Sequence, residues 1–261
     1  MTPILLLGAG RMGGALIAGW RRAGAVSPTD LMIRDPKPGP EALASGALID
    51  PDPAAMARAA TVVLVVKPQD WREAAAAVAP HLAEGAIVVS IAAGVASADI
   101  AAAFGGRRVA RVMPTIAAAI GQGTASVYSA DAEARARARA LFEPVGTVVD
   151  LPDEDLVHAA TAVSGSAPAH LYAFVEALEA AGMALGLPPA TARDLARSTT
   201  AGAAALMTET GEDAAALRRQ VTSPAGTTEA ALQVLLGDHG LGPLLKEAAA
   251  AAEQRSRELG S

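Results

Sequence analysis

Apolar and polar positions follow two different rhythms along this chain. Through about residue 150, short apolar runs recur at 4–7, 31–33, 47–49, 61–66, 87–91, 109–113, 124–128 and 147–150. Most are separated by longer stretches that carry alanine and leucine at helical spacing. The run Val62-Val63-Leu64-Val65-Val66 has no polar face, as expected of a central parallel strand covered on both sides. Strand and helix in alternation predict an α/β fold with a doubly wound parallel sheet. Beyond Leu151 the strand signal stops. From Asp153 onward the pattern is helical, interrupted at Gly165, 186–189, Thr210-Gly211, 224–226 and 237–242. Asp153, Glu154 and Asp155 place acids where a helix dipole favours them. The expected organisation is two domains, 1–152 built on the sheet and 153–261 all-helical.

The first strand runs directly into Gly8-Ala9-Gly10-Arg11-Met12-Gly13, and a helical pattern through Leu16 and Trp20 follows. Strand, glycine turn and helix form the context in which this glycine spacing binds a dinucleotide. Gly8 allows the tight turn, Gly10 lets the backbone approach a pyrophosphate, and Gly13 lets the helix pack close to the strand. The pyrophosphate then rests on unpaired N–H groups at the helix start. The first domain is therefore expected to be of the Rossmann type. The second strand ends at Arg34-Asp35-Pro36-Lys37. An acid here suits a free ribose 2′-hydroxyl and an arginine suits a 2′-phosphate. The chain offers both; Arg11, Arg34 and Lys37 together favour NADPH, with NADH left open.

Further strand ends extend this face. Val66-Lys67-Pro68 closes the central strand, and Lys67 reads either as a phosphate or ribose contact or as the edge of a turn. Ser90-Ile91-Ala92-Ala93-Gly94 ends the next strand with small side chains that leave room for a nicotinamide ring. Arg111-Val112-Met113-Pro114 ends another.

A second candidate site lies far along the chain, at Thr222-Ser223-Pro224-Ala225-Gly226-Thr227-Thr228. Pro224 fixes one dihedral, and Gly226 permits a tight or left-handed one. Thr227 and Thr228 open a helix whose unpaired N–H groups form an anion site. The segment is read either as a holder of a small carboxylate, with a threonine hydroxyl facing the rest of the ligand, or as a helix capped by Ser or Thr.

Composition narrows the function. The 261 residues carry 27 acidic and 21 basic side chains, a formal net charge of −6, which excludes a basic nucleic-acid surface. Cysteine is absent, so there is no disulfide framework and no thiolate chemistry. The four histidines, His81, His158, His170 and His239, lack metal-ligand spacing, and no metal site is expected. His170 is expected near a capped helix start. Hydrophobic content is 52% with only 3% aromatic, so the core must be packed closely through small residues. The segment 166–207 is unusually uncharged and is expected to be buried against another subunit. No signal peptide or membrane span is expected, which points to a cytoplasmic protein.

Taken together these residues resemble the pyrroline-5-carboxylate reductase family over essentially the whole chain. The resemblance rests on Gly8 to Gly13, Val66-Lys67-Pro68, Ala92-Ala93-Gly94, the Ser164 to Ala169 helix start and, most specifically, Ser223 to Thr228. It implies a cyclic imino acid as substrate, NADPH as hydride donor (NADH possible), and the reduction that makes proline. Site residues follow by position. Gly8, Gly10, Arg11, Met12, Gly13, Arg34, Val66, Lys67, Pro68, Ala92, Ala93, Gly94 and Pro114 would hold the dinucleotide. Ser223 and the N–H groups of Ala225, Gly226, Thr227 and Thr228 would hold the substrate carboxylate, and Thr228 would hydrogen-bond the ring nitrogen, with Ser223 and Thr228 as the catalytic pair. The helical domain would form homodimers, assembled further into decamers. The chain departs from the family at Thr115-Ile116-Ala117, where Asn-Thr-Pro is usual, and at Ala167 and Ala225, where glycine is usual. A reductase of another imine or of a hydroxy acid, or a non-catalytic dinucleotide-binding protein, are the alternatives. The absence of lysine between Lys67 and Lys246 argues against the hydroxy-acid dehydrogenases.

Overall fold

The computed structural model describes residues 1–259. Eight strands form one sheet in the order β3-β2-β1-β4-β5-β6-β7-β8. They are β1 (Ile4–Leu7), β2 (Leu31–Arg34), β3 (Leu48–Ile49), β4 (Thr61–Leu64), β5 (Ile87–Ser90), β6 (Val109–Pro114), β7 (Gly123–Tyr128) and β8 (Gly146–Asp150). All eight match the apolar runs read from the sequence. The sheet is not wholly parallel, because β6 and β7 pair antiparallel. Only a short 3₁₀ segment, Ile116–Ile120, connects them. A parallel return needs a crossover of about a dozen residues or more.

Alternate residues of β1, β2, β4, β5 and β6 feed two cores. Ile4 and Leu6 of β1 join Leu16, Trp20, Val63, Leu141 and Phe142 on one face. Leu5 and Leu7 join Met56, Leu64, Trp71, Ile100 and Phe104 on the other. Helix α1 (Arg11–Ala23) lies on the first face. Its Trp20 Nε1 donates to the Leu141 carbonyl at 2.7 Å, so the largest buried side chain keeps its polar atom paired. Small residues set the packing distance: a Cβ on Gly19 would stand 2.3 Å from the Ala118 carbonyl oxygen.

The remaining helices of the sheet unit are α2 (Pro40–Leu43), α3 (Pro53–Met56), α4 (Trp71–Val78), α5 (Ser97–Ala103) and α6 (Ala132–Phe142). Helix α7 (Leu156–Ala160) runs on through a π-helical turn, Thr161–Gly165. The chain divides into two compact units, one of Met1–Gly165 with the C-terminal residues from Ala251, the other Ser166–Ala250. The division between these compact units falls after Gly165, because Glu154 and α7 are bonded to the sheet unit. Glu154 accepts from Ser97 N–H at 2.6 Å, from Ser97 Oγ at 2.6 Å and from Arg111 Nη1 at 2.9 Å. The C-terminal residues join the same unit: both Nη atoms of Arg257 reach the Asp155 carboxylate, and Ser256 Oγ lies 3.0 Å from His158 Nδ1. Burial, then the nearby Arg111 and Arg257 charges, push His158 below its ordinary pKa and favour the neutral ring.

The second unit holds α8 (Ala167–Ala184), α9 (Pro189–Thr210), α10 (Ala214–Gln220), α11 (Thr227–Leu235) and the first turns of α12 (Leu241–Glu258). Helix α8 has no buried residue, and α9 buries only Ala192 and Ala196. Leu171, Tyr172, Phe174, Leu206 and Met207 are exposed in the single chain. The start of α8 is not capped as expected. Ser166 has helical backbone and its side chain makes no capping bond, because the chain enters already wound from the π turn. No helix among the described residues is long and apolar enough to cross a membrane.

Two predictions follow from this packing. Gly19→Ala should destabilise the sheet unit by about 1–3 kcal/mol, since backbone rather than a flexible side chain blocks the new methyl; denaturant unfolding measures it. Arg111 is 4% exposed in its side chain and Glu154 27%. Arg111 Nη2 is buried without a partner, so the bond to Glu154 is what offsets its charge. Glu154→Gln should cost about 3 kcal/mol near neutral pH, the low end for stripping a buried pair. Burial pushes the Glu154 carboxyl up, but the Ser97 and Arg111 hydrogen bonds outweigh it and hold it below the usual range. Its stabilisation is therefore present above an unfolded pKa of about 4.3 and fades as pH falls through the lower folded value. The difference in Tm between wild type and Glu154→Gln should narrow below about pH 4.

Candidate active site

Every residue expected at the dinucleotide lies at the carboxyl edge of the parallel strands. β1 sits between β2 and β4, where the strand order reverses, and that switch point is where such sheets bind ligands. Gly8 has φ +94°, and a Cβ there would meet the Val65 carbonyl oxygen at 2.8 Å. A Cβ on Gly13 would stand 2.3 Å from the Gly8 carbonyl oxygen. These two glycines are required by packing within the fold. Gly10 differs: nothing lies within 4 Å of its ideal Cβ. Its missing side chain leaves open space at the N-cap of α1, which has no side-chain capping bond. The N–H groups of Arg11, Met12 and Gly13 in this first turn are orphans by helix geometry. Open space over unpaired donors fits a pyrophosphate.

The adenosine side is arranged otherwise than the sequence reading expects. Asp35, the acid placed to meet a ribose, is held by the protein itself. Its Oδ2 accepts from Ala9 N–H at 2.5 Å and its Oδ1 from Lys37 N–H at 2.7 Å. Asp35 thus ties the glycine turn to the end of β2. Arg34 is half-buried, with only a 3.9 Å contact from Nη1 to Met56 Sδ. Asp52 caps α3 through Ala55 N–H at 2.7 Å. Past β4, Val66 and Pro68 are half-buried and Lys67 is exposed. After β5, Ala92 N–H donates to Ser90 Oγ at 3.2 Å, and Gly94 turns the chain at φ +80°. Pro114 is buried and pairs with Ala125. Thr115 has a structural task, since its Oγ1 accepts from Thr124 N–H at 2.9 Å.

In the helical unit, Ser223 to Gly226 form a turn closed by Gly226 N–H donating to the Ser223 carbonyl at 3.0 Å. Proline second and a positive φ third is the type II pattern, which favours glycine in the third place. Here that place is Ala225, at φ +57°. Gly226, expected to supply any left-handed geometry, is extended at φ −84° and serves as the N-cap of α11. No side chain caps this helix. Ala225 N–H and Gly226 N–H, both expected to face a carboxylate, are already engaged, the former by Glu229 Oε2 at 2.7 Å. The donors left at the helix start are the N–H groups of Thr227, Thr228 and Glu229. Ser223 and Thr227 are exposed beside them and Thr228 is half-buried. Glu229 also lines a cavity of about 610 Å³ with Arg218, Arg219, Thr222, Leu232, Gln233 and Leu236. The residue pattern assigns Glu229 no role and places Glu154 only as an acid at a helix start. A glutamate three residues past an N-cap is the one signal that pointed to the first.

Among the described residues no cluster of three or more His, Asp or Glu could hold a metal ion.

The contrast among the glycines gives a prediction. Gly10→Ala should leave stability within about 1 kcal/mol of wild type, since the methyl enters open space, yet weaken dinucleotide binding about tenfold or more. Thermal unfolding and NADPH fluorescence titration on the same sample separate the two.

Residues 154–259 match the family model described as pyrroline-5-carboxylate reductase dimerisation, and residues 3–94 match that of NADP oxidoreductase coenzyme F420-dependent. The chain is 40% identical to pyrroline-5-carboxylate reductase of Pseudomonas aeruginosa over 99% of its own length and 97% of the relative's. It is 36% identical to that of Methanosarcina acetivorans, over 97% and 96%. Among solved structures, a pyrroline-5-carboxylate reductase from Coxiella burnetii superimposes with a TM-score of 0.90 at 30% identity, covering 100% of this chain and 99% of that one. One from Plasmodium falciparum, with NADP bound, shares the fold at a TM-score of 0.86 and 22% identity, covering 100% and 98%. Full-length identity to these reductases, with the glycine starts of α1 and α11 in place, puts the chain in the pyrroline-5-carboxylate reductase family.

Proposed function

We propose that this protein reduces 1-pyrroline-5-carboxylate to L-proline with NADPH. The observation that carries the reading is the start of α11: unpaired N–H groups beside the hydroxyls of Ser223, Thr227 and Thr228, in a chain of this family. The N–H groups of Thr227 and Thr228, with Ser223 Oγ, bind the substrate carboxylate through the helix dipole and charge-assisted hydrogen bonds. The Thr228 hydroxyl hydrogen-bonds the ring nitrogen. A threonine hydroxyl is far too weak an acid to lead proton transfer at neutral pH, so Thr228 orients the imine and relays a proton from water.

Gly8, Gly10, Arg11, Met12 and Gly13 hold the pyrophosphate of the dinucleotide. Val66, Lys67, Pro68, Ala92, Ala93, Gly94 and Pro114 border it along the strand ends. Arg34 meets the 2′-phosphate. Each Asp35 oxygen already accepts one backbone N–H and so shapes the loop, while Arg34 at the end of β2 is the residue suited to a 2′-phosphate, which favours NADPH over NADH. The bound dinucleotide supplies a hydride to the imine carbon. The protein's contribution is placement, which is worth several orders of magnitude in rate.

The exposed apolar side chains of α8 and α9 form the surface on which two chains associate. Dimers assemble further into decamers, and sedimentation in solution reads that size directly.

The test is to follow NADPH absorbance with pyrroline-5-carboxylate and to identify the product, then repeat with NADH. Oxidation that yields proline, faster with NADPH, is expected. NADPH binding without oxidation would move the substrate elsewhere. Thr228→Ala should lower kcat by about 10- to 100-fold, in the range of a lost positioning and proton-relay group, while NADPH affinity stays unchanged. Unchanged turnover would remove Thr228 from the mechanism.

A further inference from the structure

We infer that Glu229 is a positioning residue for the substrate-carboxylate loop, holding Ala225 in the left-handed conformation that exposes the first-turn N–H groups of α11. The inference rests on the proposed reading of Ser223 to Thr228 as the substrate site.

A type II turn needs a positive φ at its third residue, and an L-residue pays a steric penalty there that glycine escapes. This chain places alanine at that point, at φ +57°. The turn's own closing bond, from Gly226 N–H to the Ser223 carbonyl, does not depend on a side chain. One bond from outside the turn acts on Ala225 itself. Glu229 lies in the first turn of α11, and its Oε2 accepts from Ala225 N–H at 2.7 Å. A carboxylate fixed on a rigid helix thus sets the orientation of the Pro224–Ala225 peptide.

The consequence for binding has a definite sign. Glu229 is an anion beside a site for another anion. If it acted only through its charge, removing it would strengthen carboxylate binding. If it acts by holding the loop, removing it weakens binding, because Ala225 relaxes out of the left-handed region and the loop must be reordered each time substrate arrives. The second effect is specific to alanine. Glycine adopts the same φ without a partner, so Ala225→Gly should make Glu229 dispensable.

Steady-state kinetics of the full-length enzyme with pyrroline-5-carboxylate at saturating NADPH test this. Glu229→Ala should raise KM for the imino acid about tenfold, the population factor to which the left-handed penalty of an L-residue corresponds, with kcat within about twofold of wild type. Glu229→Gln keeps an acceptor oxygen and should restore most of the affinity. The double variant Glu229→Ala with Ala225→Gly should return KM to near the wild-type value. Glu229→Gln is also the variant to read should Glu229→Ala fold poorly. A KM that falls or stays level in Glu229→Ala, while Thr228→Ala loses turnover, would overturn the role of Glu229 and leave the proposed site intact. Failure of Ala225→Gly to rescue would overturn the left-handed mechanism. If both Glu229→Ala and Thr228→Ala leave the kinetics unchanged, the loop is not the substrate site, and both readings fall together.

Discussion

Helices α1 and α11 of this protein each begin on glycine, and no side chain caps the N–H groups of their first turns. An α-helix cannot satisfy those donors internally, so each uncapped start is a fixed patch of positive potential. Three other helix starts are closed with aspartate: Asp52 on α3, Asp131 on α6 and Asp213 on α10. Those of α1 and α11 are not. The dinucleotide phosphates and the substrate carboxylate are both anions. The same physical device occurs once in the sheet unit and once in the helical unit, and under the proposed function each meets an anion.

Keeping those ends open depends on how the preceding loops are held. Before α1, Gly8 and Gly13 allow a backbone contact so close that any side chain would break it, and Asp35 grips the turn through Ala9 N–H. Before α11, Pro224 and the left-handed Ala225 form the turn, and Glu229 grips it through Ala225 N–H. In both places a carboxylate binds the loop's own backbone just outside the anion site. The negative group is spent on shaping the loop rather than on meeting the ligand.

The alanine-rich composition shapes the rest. In the sheet unit, small side chains let helices approach until carbonyl oxygens nearly touch α-carbons, as at Gly19 and Ala118. A few large residues, among them Trp20, Phe104 and Phe142, fill what remains. In the helical unit the same composition yields long helices with little core of their own, which fits a segment matched to a dimerisation model. Apolar surface left exposed on one chain is the driving force for pairing two.

Local sequence determined what local physics controls. Apolar runs of three to six residues located the eight strands of the described residues, and the glycine spacing after β1 marked a tight turn at a helix start. Ser223 to Thr228 marked a second such turn for the same reason: proline, glycine and paired threonines restrict a backbone wherever they occur. Tertiary structure decided what depends on partners distant in the chain. The antiparallel turn of β7, the capture of Asp35 by the glycine loop 26 residues away, and the bonds from Glu154 to Ser97 and Arg111 have no local signature. Even within the second site, sequence placed the left-handed residue at Gly226, whereas the turn places it at Ala225. A carboxylate four residues further on accepts from Ala225 N–H, and only the three-dimensional arrangement brings the two together.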